Sequence, residues 1–286
     1  MILGFLGKGG SGKSSVSSQT ALHQNAAGMS VLAVDADHNM DLSYNLSGGD
    51  VPELNYFSQS LEALQKAVGL SEGEKYTEAF LNDVKVRFSL SPLSPEIETY
   101  SRVLENNIRL MTAGSQTDTV LYGKACSHSL TTPLKILLPL LDLQENELVV
   151  VDEKAGADGV SSGIVTGIDV GVIVCEPTLH SVKTAKQIAK LMDFYSTPYM
   201  FVGNKVASSE DKDFIIEQLG QEPVTFLMQS NVMKRNPSTL VDEWTDELVE
   251  VFEKAKSLNQ DNRLERTVEK FVRNTDFANA PQTSTC

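Results

Sequence analysis

The chain has 286 residues, 41% of them apolar and 22% charged, and carries a formal net charge of −14. That length suits one large α/β domain around a single core, and the composition is ordinary for a soluble globular protein. The negative charge opposes nonspecific DNA binding and attraction to anionic membranes, and no apolar stretch approaches the roughly 20 residues that span a bilayer.

Taken in chain order, short apolar runs alternate with helical patterns. Ile2–Leu6 reads as a first strand, followed by a glycine-rich loop and a helix to about Ala27. Ile2–Leu6 is too short for a secretory signal, so the expected location is the cytoplasm. Val31–Val34 is a second buried strand ending at Asp35, and Ile108–Met111 a third. Leu148–Val151 leads into Asp152, and Val170–Val174, Tyr199–Gly203 and Val224–Met228 complete the set. Continuous apolar strands separated by helices predict an α/β fold with a mostly parallel sheet covered on both faces. Residues 50–106 are more polar and less regular and read as an insertion within one domain over 1–274, with 275–286 as a disordered tail. Leu240, Trp244, Leu248, Val251, Phe252 and Ala255 recur at helical spacing, as do Leu264, Val268, Phe271 and Val272. Both stripes are expected to pack on the protein's own sheet rather than on a partner or a membrane.

Gly7, Gly12, Lys13 and Ser14 satisfy the pattern G-x-x-x-x-G-K-[ST]. Gly7, Gly9, Gly10, Ser11, Gly12 and Ser15 complete a loop whose backbone N–H groups turn onto phosphate oxygens. Lys13 supplies charge to the β- and γ-phosphates of ATP, or to the β-phosphate of the product ADP, and the Ser14 hydroxyl is a Mg²⁺ ligand. The strand before the loop and the helix after it give the motif its required context. Asp35 and Asp37 end the second strand, where open α/β sheets place their ligands. Asp152 closes Leu-Val-Val-Val-Asp, an apolar strand whose carboxylate can hold Mg²⁺ through water. A backbone N–H at Ala155-Gly156 is placed to meet the γ-phosphate.

The second lysine, Lys8, makes the loop Gly-Lys-Gly-Gly-Ser-Gly-Lys-Ser. This resembles the deviant Walker A ATPases, the class of MinD, ParA and the nitrogenase iron protein. The resemblance implies a P-loop fold, slow ATP hydrolysis and a homodimer sandwiching two nucleotides, with Lys8 reaching the partner's phosphates. It further implies that Asp37 orients the attacking water, that Asp35 lies near Mg²⁺, and that Asn204, followed by Lys205, meets adenine.

Three further stretches sharpen the likeness: Asn107–Met111 with Gly114, Val151–Gly156, and Glu176-Pro177-Thr178 with Ser181, Thr184-Ala185 and Ile188 ahead of Gly203–Val206. Together they look like the CooC-type ATPases, which help insert nickel into carbon monoxide dehydrogenase. A client metalloenzyme is the partner so implied; no nucleic acid is. Those proteins carry a Cys-x-Cys pair, whereas this stretch reads Gly-Lys-Ala-Cys-Ser-His over 123–128, with Lys124 at one cysteine position. Cys126 and His128 from two subunits would form an S₂N₂ set acceptable to Ni²⁺ or Zn²⁺; the alternative is an ordinary thiol and a surface histidine. Two other departures are Asp-Glu-Lys-Ala-Gly where Asp-Met-Glu-Ala-Gly is expected, and His38 where proline is usual. The other reading is a positioning or partition ATPase of the MinD/ParA kind, which would need a basic amphipathic helix or a basic face. Cys175 lies inside an apolar strand and reads as core, and Cys286 as incidental.

Overall fold

The computed structural model describes residues 1–71, 73–75, 77, 80, 85–115, 130–157, 160 and 163–270. Cys126, His128, Phe271, Val272 and the 275–286 tail fall outside the described residues.

The strands are β1 Ile2–Gly7, β2 Ser30–Asp35, β3 Phe88–Ser89, β4 Arg102–Val103, β5 Arg109–Thr112, β6 Leu141–Asp142, β7 Glu147–Asp152, β8 Val170–Cys175, β9 Tyr199–Val206 and β10 Thr225–Met228. Eight of them form one sheet in the order β10-β9-β8-β1-β7-β2-β5-β4. Every pairing in it is parallel except β4 with β5. The apolar runs thus fold into the mostly parallel α/β sheet that their continuity predicts. β4 is an edge strand that the polar stretch 50–106 gave no sign of, and β3 and β6 form a separate two-stranded sheet.

The helices are α1 Lys13–Ala26, α2 Asp41–Ser47, α3 Leu61–Ala67, α4 Pro95–Thr99, α5 Leu134–Leu137, α6 Leu179–Tyr195, α7 Ser209–Leu219, α8 Asn231–Arg235, α9 Thr245–Leu258 and α10 Arg263–Val268. Alternate strand residues face opposite layers. Leu3, Phe5, Val31, Ala33, Leu148 and Val150 pack with Val16 and Leu22 of α1 and with Leu248, Val251, Phe252 and Ala255 of α9. Ile2, Leu6, Leu32, Val34, Val149 and Val151 pack on the other face with Val182, Ala185, Ile188 and Met192 of α6 and Ile215 of α7. The α9 stripe is therefore spent on the protein's own core, as are the half-buried Leu264 and Val268 of α10. Among the described residues, no helix is long and apolar enough to cross a membrane.

This topology sets the site. The chain leaves β1 for β2 on one side and later crosses from β7 to β8 on the other, so β1 lies where the winding reverses. Ligands of open α/β sheets bind at the carboxyl ends of strands at such a point. Gly7, Asp35, Asp152, Glu176 and Asn204 all lie at or next to those ends.

Candidate nucleotide site

The glycine loop runs from the end of β1 into α1. Ser11 N–H donates to the Lys8 carbonyl at 3.0 Å, closing the turn, and Val16 N–H donates to the Gly12 carbonyl at 2.9 Å, starting the helix. Gly12 has φ +91°, and a Cβ there would drive into the Asn204 amide. Glycine is required at that position both for its backbone and for its missing side chain.

Lys13 is buried, with its Nζ 3.2 Å from Asp37 Oδ2 and 3.6 Å from Asp152 Oδ2. Burial alone would lower its pKa, but Asp152 and Asp37 outweigh that and raise it, so the ammonium stays charged. Around Lys13 stand four buried acids, Asp35, Asp37, Asp152 and Glu153, and the Lys135 charge also acts on Glu153. Burial, then Asp152, pushes Asp35 up to about 7. Burial, then Asp152, pushes Glu153 up to about 8. Burial raises Asp152 as well, against the pull of Lys13.

Among the described residues, no hydrogen bond of good geometry reaches either carboxylate oxygen of Asp152, although the Ser14 hydroxyl lies near enough to lower its pKa, and none reaches Glu153 Oε1. Buried acceptors left unpaired call for an ion or water. Asp35 is placed differently: Oδ2 accepts from the Ser43 N–H and hydroxyl, both at 2.7 Å, and Oδ1 lies 3.3 Å from the Asp37 N–H. It fastens the start of α2 to β2, and its oxygens are already used. Of the acids named from the sequence, Asp152 with the neighbouring Ser14 hydroxyl therefore suits Mg²⁺ best, and the local excess of negative charge suits a divalent cation. Among the described residues no group of three or more His, Cys, Asp or Glu side chains is arranged to hold a metal ion by protein ligands alone.

A cavity of about 350 Å³ opens over the loop, lined by Gly9, Gly10, Gly12, Lys13, Ser14, Ser15, Asp37 and Ala155, and also by Asn39, Asp41 and Asn45. Asn45 Nδ2 donates to the Ser14 carbonyl at 3.1 Å, tying α2 to α1. Those three polar residues were not singled out in the sequence, although their closeness to Asp35 and Asp37 was a usable signal. A second hollow of about 130 Å³ adjoins it, between Asn204, Ser15, Gln229, Ser230, Met233 and Trp244. Gln229–Met233 carry no motif, so only the fold brings them to Asn204.

Two expected nucleotide contacts are engaged elsewhere in this conformation. The Gly156 N–H donates to the Gly7 carbonyl at 2.8 Å, so it is not presented to a phosphate. Asn204 Nδ2 donates to the Ser11 carbonyl at 2.9 Å, bracing the loop, while its Oδ1 has no partner among the described residues. Lys205 Nζ contacts the Gly10 carbonyl and Glu176 Oε2. Lys8, at the loop mouth, donates to the Gly9 carbonyl at 2.9 Å and lies 3.9 Å from Glu176 Oε1.

No family model matches the chain. An uncharacterised ATP-binding protein of Methanocaldococcus jannaschii is 28% identical over 253 residues, covering 88% of this chain and 96% of that protein. The carbon monoxide dehydrogenase accessory protein CooC of Rhodospirillum rubrum is 28% identical over 222 residues, covering 77% and 80%. Among solved structures, the Pyrococcus furiosus cell division ATPase MinD superposes with a TM-score of 0.60 at 16% identity, covering 90% of this chain and 98% of MinD. The chain shares the fold of the MinD and ParA P-loop ATPases. A ParA family ATPase from Chlorobium tepidum shares the fold as well, with a TM-score of 0.55 at 18% identity over 93% and 97% of the two chains. The sequence relatives extend the likeness to proteins described as ATP-binding.

Proposed function

We propose that this chain binds Mg-ATP in the glycine loop, closes into a homodimer around two nucleotides, hydrolyses ATP slowly and uses that cycle to assist nickel insertion into a metalloenzyme such as carbon monoxide dehydrogenase. The observation that carries the nucleotide part is Lys13, a buried cation at the loop floor between Asp37 and Asp152. Lys13 and the loop N–H groups bind the β- and γ-phosphates. Ser14 and Asp152 would hold Mg²⁺, which supplies counter-charge to those phosphates when bound. Asp37 orients the attacking water, and Lys8 adds charge from across the dimer. For the phosphate to be met by Gly156, its bond to Gly7 has to open, which makes that N–H a sensor of the γ-phosphate. The unpartnered Asn204 Oδ1 is an acceptor for the adenine amine at the smaller hollow.

The likeness to the CooC accessory protein supports the metal-delivery branch. Nickel is cargo in this reading, held by Cys126 and His128 of both subunits. The MinD/ParA positioning reading rests on fold likeness alone, and the −14 charge opposes it. The deciding experiment is a nickel and zinc titration of reduced protein, with and without Mg-ATP, beside Cys126→Ala. About one metal per dimer, lost in the variant, is the expected result. No binding in any nucleotide state would remove metal delivery and leave an ATPase switch with another client.

A further inference from the structure

Lys8 is the one loop lysine whose proposed task lies in another subunit, yet here both of its acceptors belong to its own chain: the Gly9 carbonyl at 2.9 Å and Glu176 Oε1 at 3.9 Å. Glu176 is the fixed member of this contact. It follows β8 directly, its N–H donates to the Ser181 hydroxyl at 3.1 Å, and its carbonyl accepts from the Thr178 N–H at 2.7 Å, which locks it to the start of α6. Its side chain is 16% exposed, against 38% for Lys8 and 43% for Lys205. The two lysines are the movable partners of a held carboxylate.

The two arms are unequal. Lys205 Nζ sits 3.0 Å from Glu176 Oε2, within hydrogen-bond reach, whereas Lys8 Nζ is at ion-pair distance only. If Lys8 leaves, Glu176 keeps Lys205 and is not stranded as an unpaired carboxylate, the outcome that makes breaking a partly buried pair costly. The arrangement retains Lys8 weakly and releases it cleanly. We infer that Glu176 is a positioning residue that holds Lys8 on its own subunit and yields it to a second copy of the chain as the two close over nucleotide. This rests on the dimer reading given above.

The test is sedimentation velocity over a protein dilution series, with Mg²⁺ and a non-hydrolysable ATP analogue, on the wild type, Glu176→Gln, Lys8→Ala and the double variant. Glu176→Gln is expected to lower the concentration at half-dimerisation about two- to five-fold, the scale of a partly exposed ion pair. In the Lys8→Ala background the same change is expected to do nothing, because the double-mutant cycle isolates the Lys8–Glu176 coupling. Glu176→Asp, which keeps the charge but withdraws it from Lys8, should shift dimerisation in the same direction and serves if Glu176→Gln does not fold. A wild type that dimerises while Glu176→Gln is unchanged or weaker would overturn the inference alone. So would an equal shift in the Lys8→Ala background. A wild type that stays monomeric with the analogue would overturn the dimer reading, and this inference with it.

Discussion

The two ends of the sheet bury charge in opposite ways. At the amino end, Asp169 accepts from the Ile2 N–H at 2.7 Å and from Arg263 at 3.1 Å. Arg263 also donates to the Leu138 and Leu141 carbonyls, Arg266 to the Ile168 carbonyl, and the Met1 ammonium to the Glu147 carbonyl. These groups cross-link α10 and the strand starts. At the carboxyl end, Lys13 lies among four buried acids, with Lys135 acting on Glu153 alone, and among the described residues no hydrogen bond of good geometry reaches either oxygen of Asp152. The amino end leaves Glu147 Oε1 and Arg266 Nε open, but both side chains are bonded through their other atoms, whereas Asp152 is open at both oxygens; charges so paired build structure, and a cluster with open acceptors suits something that arrives. A mutation at the first end should cost stability, and one at the second should cost ligand.

Lys13→Ala should break the comparison most strongly. With the lysine at the loop floor gone, ATP hydrolysis should fall by about 10³-fold or more, the scale lost when charge aimed at a reacting phosphate is removed. Phosphate release against wild type measures it; activity within ten-fold of wild type would exclude Lys13 from the phosphate site.

Arg263→Ala tests the opposite end. Leaving Asp169 buried with half its partners should cost about 3 kcal/mol of stability. Urea denaturation reads that cost, and ATP affinity of the folded variant should stay within two-fold. A large affinity loss without a stability loss would reverse the contrast drawn between the two ends.

The carboxyl end also predicts a pH dependence. Glu153, raised from the usual 4.5 to about 8 by burial and then by Asp152, holds a proton in the folded state that the unfolded chain releases. Between those values the folded state binds more protons, so stability falls as pH rises, by at most about 1.4 kcal/mol per pH unit for one group, and levels off above pH 8. Asp35, at about 7, acts in the same direction. Glu153→Gln should therefore flatten, without abolishing, the decline in urea-derived stability between pH 5 and 8 in chelator. An unchanged slope would mean that Glu153 is charged in the folded protein.

How far the chain could be read in advance follows from how local each signal is. The central strands are apolar runs buried on both faces, and the loop glycines, Lys13 and Ser14 form one contiguous motif, so both are visible within a few residues. Asp152 ends such a run and shares that visibility. The Asp169–Arg263 clamp joins positions 94 apart, and Glu176 meets Lys8 and Lys205 only through the sheet order. Such pairs leave no periodicity to detect. β4 is two residues long and pairs with the next strand across a turn, too little for any pattern. Glu153 was visible as a departure in the motif, but its burial, and hence its raised pKa, needs the fold.

The smallest effect separates two roles of one residue. Asn204 braces the loop through Nδ2 to the Ser11 carbonyl and leaves Oδ1 open beside the smaller hollow. Asn204→Ala removes both functions. If bracing alone matters, the Ser11 carbonyl loses its donor, at a cost of about 1–2 kcal/mol, and ATP and GTP should weaken together. If Oδ1 accepts from the adenine amine, ATP should weaken more than GTP, because guanine presents a carbonyl there and gains nothing from an acceptor. We expect ATP affinity to fall about ten-fold and the ATP-over-GTP preference to shrink by about five-fold, the size of one hydrogen bond. Competition titration with both nucleotides reads the two quantities at once. A parallel loss would confine Asn204 to holding the loop and shift base recognition to Gln229 and Ser230, the other polar groups lining the hollow.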